Sequence, residues 1–288
     1  MNSQVREFFD YFPKARNLLF RSVRRIPTFN TFAGRSDSEA TFYVASLKRA
    51  LSNDKFLRNF RRPYNYREIL EHVSYDLGVE YLNNVKRLEP NRWQDLLQVN
   101  SRNDFFGNPI LYNFAAAGKF SPTTLRYIST ALEMRNSIQL KKTDSIAEIG
   151  IGYGGQAAVI ENLLQNKKYT FFDLPEAVQL SKTYLNRIGS KLNPVVGDLN
   201  SVQDEFDVVI SNYAFSELSR DLQESYLSKV LQKSKRGYMI MNSGRTDFSG
   251  RSAGKISAEE LLSRLKNSCI EEEVPKTGPD NYVLIWSN

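Results

Sequence analysis

Across the first 140 positions apolar residues recur at helical intervals, and β-branched runs are few. Positions 38–51 set Phe42, Ala45, Leu47 and Leu51 among polar neighbours, and 66–82 do the same with Ile69, Leu70, Val73, Leu77 and Tyr81. Spacings of three and four predict an amphipathic helix in each. Ser121-Pro122-Thr123-Thr124 opens another, with a serine cap, proline in the first turn, then Leu125, Ile128 and Leu132 on one face. Beyond Lys142 the rhythm changes. Short apolar runs at 145–149, 169–172, 193–196, 206–211, 237–242, 270–274 and 282–286 read as strands, with amphipathic stretches at 156–165, 177–188, 222–232 and 258–266 between them. Strands alternating with helices build a parallel sheet. Only the Pro/Gly-containing stretch 275–281 joins the last two runs, so they are expected as antiparallel neighbours. The chain thus divides into an all-helical part, 1–140, and a seven-strand α/β part, 141–288.

Composition changes this picture little. Hydrophobic residues make up 41% and charged residues 25%, an ordinary globular balance that excludes collagen-like and wholly disordered chains. One cysteine and one histidine exclude an internal disulfide and a zinc cluster. Cys269 is expected as a small buried hydrophobe, and a reducing compartment, the cytoplasm, is the default. No stretch approaches the ~18 consecutive apolar residues of a spanning helix, and Arg6, Glu7 and Asp10 interrupt any signal-peptide core.

Charge is uneven. The net charge is +7, but residues 1–140 carry 21 basic and 13 acidic side chains against 18 and 19 in the remainder. Such a surplus fits either an anionic partner (sugar-nucleotide phosphate, nucleic acid or an acidic membrane) or a solvated basic face. The N-terminal Val5 to Phe12, then Leu18-Leu19-Phe20 with Arg21, Arg24 and Arg25, mixes apolar and basic faces. That segment suits peripheral contact with an anionic membrane, packing on its own chain, or a homodimer.

The first strand of the α/β part runs into Glu148-Ile149-Gly150-Ile151-Gly152-Tyr153-Gly154-Gly155 and then a helix. Gly150, Gly152 and Gly155 satisfy the dinucleotide fingerprint. Glu148 with Gly150, Gly152 and Gly154 satisfies the acid-x-G-x-G-x-G motif of class I S-adenosylmethionine methyltransferases. Context favours the second reading. Glu148 could accept from a cofactor ammonium but would oppose a pyrophosphate. Asp173 ends the second strand, where it could accept from ribose hydroxyls, and Asp198 follows the third, where it could accept from an adenine amino group. Leu174, Leu199 and Asn212 complete this candidate cofactor set. Topology brings these strand ends to one rim, where open α/β sheets bind ligands.

From about residue 107 the chain resembles the sugar O-methyltransferases. The likeness rests on the run from Phe120 to Tyr127, the glycine loop, Asp173-Leu174-Pro175-Glu176, and above all Ser211-Asn212-Tyr213-Ala214-Phe215-Ser216-Glu217-Leu218. It implies a Rossmann-like methyltransferase sheet, S-adenosylmethionine as cofactor, and a carbohydrate or glycoconjugate hydroxyl as acceptor. Alternatives are a nucleic-acid-binding methyltransferase-like protein, disfavoured because interleaved aromatic and basic motifs are lacking, and a nicotinamide-dependent enzyme.

A sugar hydroxyl is a poor nucleophile, so a general base would help. Glu217 stands just past the fourth strand, with Tyr213 and Phe215 as an expected aromatic wall; its alternative role is a capping or ion-paired carboxylate. His72, on a predicted helix, is either structural or a base brought in by a folded-over N-terminal part. Arg245 and Arg126 could hold a substrate anion or the cofactor carboxylate, or be ordinary surface or packing residues. Tyr112, Tyr127 and Tyr153 could stack on a sugar or belong to the core. Asn212, Asn242 and Asp247 follow the fourth and fifth strands, where catechol-type enzymes hold magnesium, but they do not by themselves indicate a metal.

Overall fold

The computed structural model describes residues 43–166, 168–245, 252 and 254–288. The N-terminal segment from Val5 to Arg25, Phe42 and Asp247 lie outside the described residues. Helix α1 (Tyr43–Ser52) buries Tyr43, Leu47 and Ala50, whereas Ala45 is exposed. The inward face is therefore rotated from the expected one. A short α2 (Asp54–Leu57) follows, capped by the Asn53 side chain.

The helix expected over 66–82 is two: α3 (Tyr64–Leu70) and α4 (Tyr75–Leu88). The break has a local cause. Ser74 adopts extended backbone and its hydroxyl accepts the Leu77 N–H at 3.2 Å, which starts a new helix. His72 consequently sits in an exposed turn, not on a helix. Helix α5 (Trp93–Asn100) runs into a 3₁₀ turn at Ser101–Asp104.

The N-terminal part is not wholly helical. Strands β1 (Tyr112–Phe114) and β2 (Gly118–Phe120) pair antiparallel around a turn with left-handed Ala116 and Gly118. Strands of three residues are too short to display alternation. Helix α6 (Pro122–Ser137) begins as expected, with Ser121 accepting the Thr124 N–H at 3.1 Å and Pro122 in the first turn.

The α/β part follows as β3 (Ile146–Ile149), α7 (Gly155–Leu164), β4 (Tyr169–Phe172), α8 (Pro175–Arg187), β5 (Val195–Val196), β6 (Val208–Asn212), α9 (Ala214–Glu217) and α10 (Arg220–Tyr226). Helix α10 continues as a π turn at Leu227–Leu231. Then come β7 (Arg236–Met241), α11 (Ala258–Arg264), β8 (Cys269–Glu272) and β9 (Tyr282–Ser287). The sheet order is β5-β4-β3-β6-β7-β9-β8. Strands β3 to β7 are parallel, and β9 pairs antiparallel with both β7 and β8. This is the expected Rossmann-like seven-strand sheet closed by an antiparallel hairpin. Its order reverses at β3, between β4 and β6.

Alternation divides the strand residues between two cores. Ile146, Phe171, Val208, Ile210, Tyr238 and Ile240 belong to one, shared with Leu47, Val85, Leu125, Ile128 and Leu180 of the helices. Ala147, Ile149, Val209, Met239, Leu284 and Trp286 belong to the other, with Leu227, Leu231 and Leu261. The N-terminal helices thus share a core with the sheet. Cys269, expected buried, is exposed on the edge strand β8. No helix of the described residues is long and apolar enough to cross a membrane.

Candidate active site

Strand β3 leaves the sheet through left-handed Gly150, Gly152 and Gly154. Space is as decisive as conformation. A Cβ on Gly150 would stand 2.0 Å from that of Ala214, and one on Gly152 would meet the Leu70 side chain at 3.2 Å. The loop is therefore pressed between the turn after β6 and the end of α3.

Three acids stand at successive strand ends in three different environments. Glu148 is buried, and its Oε2 accepts from the Tyr169 hydroxyl at 2.8 Å. Burial pushes its carboxyl up to about 8 despite that bond. Asp173 is half-buried and accepts from the N–H groups of Gly152 (3.2 Å) and Leu174 (2.7 Å). Desolvation outweighs those donors and holds it up at about 6. Asp198 is exposed and occupied by its own turn, accepting from the Asn200 N–H (2.9 Å) and the Ser201 hydroxyl (2.8 Å). Those bonds hold it below the ordinary carboxylate range. Leu174 precedes α8 and Leu199 follows Asp198, both half-buried.

Asn212, the last residue of β6, donates through Nδ2 to Gln156 at 3.2 Å. Its Oδ1 is buried and has no donor among the described residues. Gln156 in turn donates to the Tyr127 carbonyl at 3.1 Å, so β6, α7 and α6 are tied together at this rim.

Tyr213 carries the chain out of β6 in a left-handed conformation (φ 68°), its N–H bonded to the Ile240 carbonyl at 2.7 Å. Its hydroxyl bonds Glu273 and lies 3.2 Å from the Thr277 hydroxyl, both between β8 and β9. Phe215 is wholly buried in the second core, so the expected pairing of Tyr213 and Phe215 in one wall does not form. Glu217 is half-buried and accepts at Oε1 from Asn242 Nδ2 at 3.0 Å. Asn242 accepts in turn from the Ser216 hydroxyl at 2.8 Å. Lys255 donates to the carbonyls of Glu217 and Leu218 at 2.7 and 2.8 Å, pinning this turn.

Other candidates are distributed differently. Arg245 pairs with Glu272 of β8 at 2.6 Å. Tyr153 is buried, stacked under Arg61 at 4.7 Å, and Tyr127 packs against Gly155. Tyr112 is exposed beside Tyr75. Among the described residues no group of three His, Cys, Asp or Glu side chains could hold a metal ion.

Sequence reading gave Tyr43 no role, and it placed Asn242 at the end of the fifth strand without its bond to Glu217. Tyr43 is buried, and its hydroxyl is raised well above its ordinary value by burial first, then by the charges of Asp173 and Glu217. The hydroxyl of a tyrosine on α1 thus feels the charges of both the candidate ribose acid and the candidate base. No local pattern could have revealed that, because the neighbourhood is made by residues more than a hundred positions apart.

No model of a known family matches the chain, and no curated protein does. Among solved structures it is similar to magnesium protoporphyrin IX methyltransferase (ChlM) from Synechocystis PCC 6803 with bound SAM. Identity there is 12% over 57% of this chain and 79% of that one, at a TM-score of 0.44. It is similar to PigF with SAH at 15% identity over 57% and 65% of the two chains, TM-score 0.42. Protein 1320 of Thermoplasma acidophilum is similar at 16% identity over 66% and 95%, TM-score 0.40.

Proposed function

We propose that the protein is an S-adenosylmethionine-dependent O-methyltransferase whose acceptor is a sugar hydroxyl. The observation that carries the cofactor half is a buried acceptor without a donor among the described residues, Asn212 Oδ1, where the sheet order reverses beside a strand that carries a buried acid. Glu148 is that acid, on β3, and Asn212 stands on the adjoining β6. An unpaired buried acceptor is costly, and an ammonium group would give Asn212 its donor and Glu148 a counter-charge. A pyrophosphate would meet the Asp173 carboxylate as a like charge and bring no donor to Asn212.

In this reading Glu148 and Asn212 hold the amino-acid end of the cofactor, Asp173 the ribose and Asp198 the adenine. The left-handed glycines let the backbone come close. When bound, the cofactor supplies an electrophilic methyl carbon on a sulfonium. Glu217, fixed by Asn242, takes the proton of the acceptor hydroxyl. The sugar half of the proposal rests on the resemblance carried by Asp173 to Glu176 and Ser211 to Leu218.

Ligand binding to the native state raises the unfolding temperature with concentration. S-adenosylhomocysteine should stabilise the protein and NAD should not; the reverse result abolishes the proposal. Methyl-labelled cofactor supplied with glycan and oligonucleotide panels should then label glycans. Labelled oligonucleotides with unlabelled glycans would replace the sugar by nucleic acid.

A further inference from the structure

Among the described residues Glu148 has one donor, and it comes from the neighbouring strand. The Tyr169 hydroxyl, on β4, donates to Oε2 at 2.8 Å, and neither residue is more than 2% exposed. Oε1 takes no bond from a described residue. The parallel register explains how the two side chains meet. Tyr169 stands opposite Ile146, and Phe171 opposite Glu148, so the phenol starts two residues behind the acid on the same face of the sheet. It reaches forward and grips the carboxylate from the side away from the strand ends.

Packing does not require that hydroxyl. The Tyr169 ring meets Phe171 edge-on with centroids 5.4 Å apart, a contact that phenylalanine would keep. Among the described residues the hydroxyl bonds Glu148 and nothing else. A carboxyl sunk this deep keeps its proton unless a donor or a cation favours the ionised form. Burial is the largest influence on Glu148, and Asp173, the other charged group that acts on it, pushes in the same direction. Tyr169 pulls against both.

We infer that Tyr169 is a positioning residue for recognition of the cofactor's amino group: its hydroxyl holds Oε2, so that Glu148 meets the ammonium through Oε1 as an anion. Without that bond the acid would stay protonated for longer and bring the ammonium no counter-charge. The inference rests on the proposed function, and the two fail separately.

The test is calorimetry of the full chain with S-adenosylhomocysteine and with an analogue in which hydrogen replaces the α-amino group. Tyr169→Phe keeps the ring and therefore the fold. Near neutral pH it should bind S-adenosylhomocysteine ~10-fold or more weakly, as expected when a bond to a charged group is lost. Its affinity for the deaminated analogue should match that of wild type. In a Glu148→Gln background the same change should cost little more, because the two groups act as one. A second reading needs no ligand. Urea unfolding of Tyr169→Phe across pH should show stability falling to a higher pH than in wild type, since the folded acid releases its proton later. A packing role alone would weaken both ligands alike and leave that window in place; either result overturns the inference, as does full S-adenosylhomocysteine affinity in Tyr169→Phe. Full affinity in Glu148→Gln removes the Glu148 contact from the proposed function and the inference with it. Absence of S-adenosylhomocysteine binding by wild type is a failure of the proposed function itself.

Discussion

Glu217 owes its position to Asn242 and the Lys255-pinned turn around it. If it removes the acceptor proton, Glu217→Gln should lower turnover ~10²-fold or more with little change in cofactor affinity. His72→Ala, in an exposed turn, should stay near wild type in the same steady-state assay. The two raised acids make a pH prediction with opposite signs for the free and bound protein. Between their ordinary values and about 6 for Asp173, or about 8 for Glu148, the folded chain holds protons that the unfolded chain has released. Ligand-free stability therefore falls as pH rises through that window. Ribose hydroxyls and an ammonium favour the ionised forms, so S-adenosylhomocysteine affinity should climb in steps near 6 and 8. Calorimetry across pH should lose the lower step in Asp173→Asn and the upper in Glu148→Gln. The strand-end acids were legible because each stands within or just after an apolar run. Asn242's grip on Glu217 was not, because only the parallel pairing of β6 with β7 brings those residues together.

The central strands were legible almost to their ends, since burial on both faces produces continuous apolar runs, whereas the edge strands β5 and β8 are mostly exposed. Helix boundaries were legible where caps were strong, as at Ser121, and missed at Ser74, where apolar spacing continues across the break. That break is held by a network invisible in the sequence. Arg61 joins Glu71 after α3 to Asp104 of the 3₁₀ turn, and Asp104 accepts from the N–H and hydroxyl of Ser121 at 2.7 Å each and from the Thr124 hydroxyl at 2.8 Å. Arg61→Met leaves two buried carboxylates uncompensated. It should cost about 3–5 kcal/mol, the usual loss on breaking a buried ion pair from one side. Urea unfolding checks this: an unchanged midpoint would mean that the network contributes nothing net.

The basic surplus of the first 140 residues looked outward in the sequence, yet two of its arginines, Arg61 and Arg126, are inside. Long-range packing, which no window of sequence reports, decides which charges face solvent. It also decides what covers the rim. Leu70 of α3 lies against Gly152, and Tyr43 of α1 is buried. A ligand laid along the glycine loop would meet Leu70, so its arrival and departure would depend on the helices that flank the loop. In stopped-flow mixing, association of S-adenosylhomocysteine should level off at high concentration, at the rate with which α1 and α3 yield. Leu70→Ala should raise that ceiling and quicken release together, leaving the equilibrium constant nearly in place. A strictly linear concentration dependence in wild type would mean that the helices impose no delay. Where the delay exists, the pace at which the loop is filled is set by two short helices and not by the diffusion of the ligand.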